Sequence, residues 1–203
     1  MKERGMIFNG EMVRAILDGR KTQTRRIMAP QPEPCPRGGH WWPSNVFKTM
    51  LHVEDEMQNG KGGWGGLVGD ACPFGDVGDR IWVREAFASG LSTKSTLAYR
   101  ATHKREDLED GFYDTIKWTP SIHMPRWASR ILLEITNVRV ERLKSISDGD
   151  AIREGCSTAD MKSGDCVADV FARLWASIYG SDSWNANPWV WVIEFKRVEG
   201  GAA

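Results

Sequence analysis

The chain of 203 residues carries no net charge, because 27 basic residues balance 27 acidic ones. That balance excludes a broadly cationic sleeve for nucleic acid, so any phosphate binding must come from local clustering. No apolar run approaches the length of a membrane span, and none of signal-peptide length stands at the start. There is no C-x-x-C pair: Cys35, Cys72, Cys156 and Cys166 are widely and irregularly spaced. Such spacing speaks against a disulfide framework and against a thiolate-rich metal site. The expectation is a soluble, cytoplasmic protein with free thiols, no membrane partner, no metal and no cofactor. Internal repeats are missing too. Tyrosine is scarce at three, whereas ten tryptophans are many for this length. Flat indole surfaces suit either a core or a base-stacking pocket.

What is present reads as α+β. Asn9 caps a first helix with Met12, Val13, Ile16 and Leu17 on one face, and Gly19 ends it. An extended stretch follows at 22–28. Residues 29–76 are crowded with proline and then glycine (GKGGWGG at 60–66) and keep neither period. They read as a long loop insertion, a lid or binding element, within a single domain spanning 1–199. Strands are expected at 79–89, 97–102, 131–143 and 189–198, the last apolar on both faces and therefore central. Ser147 opens a short helix with Asp150 completing a capping box, and 165–179 is amphipathic. Several strands in open order with helices early and late predict a small barrel or curled sheet. Residues 200–203 are expected to be a disordered tail.

The densest charge cluster is GRKTQTRR at 19–26, with Arg20, Lys21, Arg25 and Arg26. Cations at a helix C-terminus complement its dipole, and threonines favour a following strand. That structural reading explains one or two cations, since the dipole term is worth about 0.3–1 kcal/mol and fades within a turn. Lys21 and Thr24 would share a helical face but oppose each other on a regular strand, so a turn after Gly19 is needed to unite amine and hydroxyl.

The spacing G-x-K-x-x-T-x-R (Gly19, Lys21, Thr24, Arg26), directly after an amphipathic helix, resembles the signature of the ASCH domain family. Further blocks support the resemblance in the same order: Gly78-Asp79 opening a strand, the strand at 131–140 running into LKSISDGDAIREG, and ARLWASIYG before the final strand. The family resemblance implies a PUA-like β-barrel associated with RNA. The chain also resembles the small bacterial N4-acetylcytidine amidohydrolases, whose catalytic threonine, lysine and glutamate match Thr24, Lys21 and Glu154. That resemblance implies metal-independent removal of an acyl group from a cytosine-type base, nucleoside or RNA. Longer chains of this form are associated with phages and prophages. A non-catalytic module reading a modified or flipped base in single-stranded nucleic acid, and a ribonuclease, are the alternatives.

The chemistry leaves two assignments open. Lys21 can take the threonine proton only if neutral, a change worth roughly 4 kcal/mol, which burial and neighbouring arginines would supply. Glu154 would then stand back or be protonated. Alternatively Glu154 is the base and a charged Lys21 stabilises the oxyanion. Arg20 and Arg26 are candidates for binding substrate. So are Arg126, Trp127 and Arg130 in WTPSIHMPRWASR, read either as a stacking and phosphate-contacting rim or as a loop packed on the barrel. Trp41, Trp42 and Trp64 would contribute from the opposite side. Glu85 is a further binding candidate: strand alternation turns it to solvent, and burial beside Lys21 would make it a rival carboxylate. Cys35, His40 and Cys72, with His52 or His123, lack the close pairing of zinc ligands, so free cysteines in a packed insert are expected.

Overall fold

A computed structural model describes residues 1–58, 67–90, 96–104 and 116–198. The glycine-rich stretch with Trp64, and the tail at 200–203, lie outside the described residues. The chain opens with a strand, β1 (Glu3–Ile7), and a helix, α1 (Gly10–Leu17). Asn9 caps α1 by accepting from the Met12 amide at 2.8 Å, and Gly19 follows its end with φ +73°. Next come β2 (Gln23–Ile27), three short strands β3 (Glu33–Pro34), β4 (His40–Ser44) and β5 (Thr49–His52), and two single turns, α2 (Val53–Glu56) and α3 (Val68–Ala71). The expected strand at 79–89 is two strands, β6 (Arg80–Arg84) and β7 (Phe87–Ser89), followed by β8 (Leu97–Tyr99). The remainder is β9 (Leu132–Arg142), α4 (Asp148–Arg153), α5 (Val167–Tyr179), α6 (Ser181–Ala186) and β10 (Trp189–Arg197).

The main sheet runs β1-β6-β9-β10-β2, parallel only between β1 and β6. Central β10 explains its own apolar run. Val190 and Val192 pack against Leu143, Phe171 and Trp175 on one face. Trp191 and Ile193 join Phe8, Val13 and Ile16 on the other. A strand buried on both faces has no polar side to show. The architecture is mixed α+β. Among the described residues no ladder joins β1 to β2, so pairing does not close the sheet. Its two edges nevertheless approach, because Arg26 on β2 donates to the Ile7 carbonyl on β1 at 2.7 Å.

The expected loop insertion is corrected. Its first part carries the antiparallel sheet β3-β4-β5. Trp42, Leu51, Val53, Met57, Val68, Ala71 and Cys72 from this stretch belong to the same core as β10. The Trp42 and Trp191 rings meet edge to face at 5.4 Å, and the Trp42 indole donates to the Pro30 carbonyl at 3.0 Å. Trp42 is thus committed to the core, while Trp41 abuts His52 at 5.3 Å, so neither lines the site of the octet. Among the described residues no helix is long and apolar enough to cross a membrane.

Candidate functional site

Lys21 follows the turn that ends α1, where its amide and that of Arg20 both donate to the Ala15 carbonyl at 2.9 Å. This turn drives its side chain inward. The amine donates to the Glu154 carboxylate at 2.7 Å and to the Glu154 carbonyl at 2.8 Å. Glu154 stands at the C-cap of α4, whose start is fixed by the Ser147–Asp150 capping box. Gly155 permits the approach. Its φ is +95°, and a Cβ there would lie 3.0 Å from Ala15 Cβ and 3.2 Å from Lys21 Cβ.

The two side chains are 0% and 2% exposed. Burial pushes the Lys21 amine below its ordinary range; Glu154 opposes that shift, and the charge of Arg26 adds to it. Glu154 therefore does not stand back from Lys21, which leaves a protonated Glu154 or the alternative assignment with Glu154 as base. Arg25, which sequence reasoning did not place in the site, completes the arrangement. Its guanidinium reaches Glu154 at 3.1 Å, Glu141 at 3.1 Å and Asp150 at 3.6 Å. Arg139 closes the network behind it, bonding Asp150 and Gln23 at 3.2 Å each, and also Glu141 and Glu194. Glu154 thus sits between two cations held by a charged lattice.

Thr24 is buried on β2 opposite Ile193. Its hydroxyl makes no hydrogen bond among the described residues. It lines a small hollow with Arg25, Arg26 and Glu154, roofed by Trp175, Ile178 and Tyr179 of α5, with a free volume of about 10 Å³. That is room for about one water. The structure brings Lys21 and Glu154 into contact and sets Thr24 and Glu154 on one hollow, whose lining does not include Lys21. This hollow, called the neck below, shares lining residues with two larger ones. A polar groove of about 510 Å³ shares Met12, Glu154 and Leu174 with it and is rimmed by Arg14, Arg20 and Arg173. A second hollow of about 480 Å³, at the β1/β2 seam, shares Met12, Arg26, Ile178 and Tyr179.

Of the other expected residues, Arg20 borders the groove, bonding the Gly155 carbonyl at 3.0 Å and Asp18 at 3.2 Å. Arg26 borders the neck and lies over the Phe8 ring at 5.2 Å. The rim residues go elsewhere. Arg126 pairs with Glu3 at 2.9 Å, and Trp127 stands 70% exposed beside it. Glu85 is buried, not turned to solvent, because it falls on the same face as the buried Ile81 and Val83 and the alternation of β6 runs on through it. Arg130 grips it with a fork of 2.9 and 3.0 Å and stacks on Tyr99 at 4.0 Å. Glu85, Arg126, Trp127 and Arg130 therefore do not line the neck beside Thr24, and Glu85 makes no contact with Lys21.

All four cysteines are free, and three are buried. Among the described residues no three histidine, cysteine or carboxylate side chains are grouped as a metal ion would require. His40 instead bonds Glu54 at 2.6 Å. No family model, no curated protein and no solved structure matches this chain.

Proposed function

We propose that the chain is a metal-independent amidohydrolase of the ASCH type, removing an acyl group from an N4-acylated cytosine nucleoside or a related modified base. On this reading the open five-stranded sheet is a PUA-like barrel with an unpaired seam. The observation that carries the proposal is the buried Lys21–Glu154 contact, with Glu154 and Thr24 on the wall of one hollow. A buried glutamate held by a lysine, on one hollow with an unbonded hydroxyl, is what activation of a poor nucleophile needs.

Glu154 shares the neck with Thr24, whereas Lys21 lies behind it, so Glu154 is assigned as the base. The Thr24 oxygen adds to the acyl carbonyl carbon while its proton passes to Glu154. The carbon–nitrogen bond then breaks, and the exocyclic amine leaves with that proton. Water hydrolyses the resulting threonine ester, giving one proton back to the Thr24 oxygen through Glu154. Lys21 and Arg25 hold the carboxylate in place throughout. A base reaches Thr24 once the α5 side chains over the neck swing aside.

The test is incubation with N4-acetylcytidine, following cytidine release. Thr24→Ala and Glu154→Gln should each lower kcat by at least about a hundredfold, the usual scale for losing a nucleophile or a general base. Full activity in both variants would overturn the assignment. No turnover with salt-dependent RNA or DNA binding would instead identify a binding module, and strand cleavage a ribonuclease.

A further inference from the structure

We infer that the hollow at the β1/β2 seam is a phosphate subsite, so that the ligand of the neck is a phosphorylated nucleoside. The inference deepens the proposed function and rests on its location, not on turnover. Most buried or half-buried arginines here are neutralised: Arg25, Arg130 and Arg139 each face carboxylates. Arg26 and Arg84 differ. Both line the seam hollow, and among the described residues neither meets a carboxylate. Arg26 spends one nitrogen on the Ile7 carbonyl, and Arg84 spends one on the Ile122 carbonyl, while its Nε is buried without any partner.

Gly5 makes the second guanidinium available. A Cβ at this position would sit 2.6 Å from the Trp82 ring and 3.0 Å from Arg84 Cδ, so the glycine leaves room for the Trp82 ring and for the Arg84 chain beside it. Phe74 and Tyr179 add aromatic walls to a hollow of about 480 Å³. Two guanidiniums without a carboxylate in a partly apolar recess favour an oxyanion, and two oxygens of a phosphate can accept from a guanidinium fork. Arg26 and Tyr179 border both the seam hollow and the neck, so the two adjoin, and a phosphate at the seam would belong to the same ligand as a base beside Thr24.

Calorimetric titration of the full chain with cytidine, cytidine 5′-monophosphate and a short cytidine oligonucleotide tests this without relying on hydrolysis. The monophosphate should bind about tenfold tighter than cytidine. Arg84→Gln should bring that ratio close to one, and Arg84→Lys should restore part of it, since a point charge replaces the fork. An oligonucleotide binding tighter still, with steep salt dependence, assigns the phosphate to a strand; equal affinity assigns it to a mononucleotide. Equal binding of cytidine and its monophosphate, or a ratio untouched by both substitutions, overturns the subsite. Turnover of N4-acetylcytidine with a ratio of one would leave the hydrolase standing and remove the subsite, and the converse result would do the reverse.

Discussion

At Lys21 and Glu154 the chain bears an electrostatic cost that most cores avoid. Lys21 is wholly and Glu154 almost wholly withdrawn from water, so removing one leaves a buried charge behind. Lys21→Met should destabilise by about 3 kcal/mol, at the low end for such pairs because Arg25 still faces Glu154. Lys21→Met combined with Glu154→Leu should cost less than the sum of the two single changes. Urea midpoints of the four proteins give the coupling, and strict additivity would sink the claim of a tight pair. Burial holds the Lys21 amine below its ordinary value of 10.5, so above its folded value the unfolded chain binds the extra proton. Stability contributed at this position therefore rises with pH toward 10.5, and the difference between wild type and Lys21→Met should move that way. The three matched residues were legible only through their spacing and block order. Arg25 was not, because strand alternation turns it away from Thr24, and its value comes from Glu141, Asp150 and Glu154, distant in sequence.

Helix α4 is short, and its register decides where Glu154 points. Asp150 caps the helix and also receives Arg153 at 2.6 Å and Arg139 at 3.2 Å. Burial alone would raise its pKa; the bonds from Arg153 and Ser147 and the charge of Arg25 outweigh that and hold the carboxyl well below its ordinary range. A carboxyl depressed in the folded state contributes stability above its unfolded value of 3.8 and loses it as pH falls further. Asp150→Asn should therefore be less stable than wild type near neutrality, with the gap closing once the pH is taken below 3.8. A gap that stays constant in acid would mean that packing, not charge, explains the loss. Over the neck, α5 acts as a roof, and Tyr179→Ala should raise kcat/KM several-fold if opening limits access; an unchanged value would place the limiting step elsewhere. These helices, with β9 and β10, announce themselves by caps and apolar period. The strands β1 and β3 to β5 do not: Glu3–Ile7 mixes charge with glycine, and Pro34 and Pro43 mask short strands that form only because the main core supplies a surface.

Across the whole molecule, the decisive question is whether residues 29–76 are an accessory or part of the body. A lid would leave the five-stranded sheet intact when weakened. Here Trp42 is 5% exposed and packs edge to face on Trp191, which belongs to the central strand. Truncating a buried indole removes both transfer energy and packing, so Trp42→Ala should cost about 3–5 kcal/mol. It also orphans the Pro30 carbonyl that the indole serves. Trp127, at 70% exposure, supplies the internal control: Trp127→Ala should change stability by no more than about 0.5 kcal/mol. Denaturation followed by tryptophan fluorescence and by far-ultraviolet circular dichroism should give one coincident transition in wild type and Trp42→Ala alike, shifted to lower denaturant in the latter. Two separated transitions would show the segment melting apart from the sheet. Coincident transitions place Trp42 and Ile193, the residue paired with Thr24, in one cooperative core.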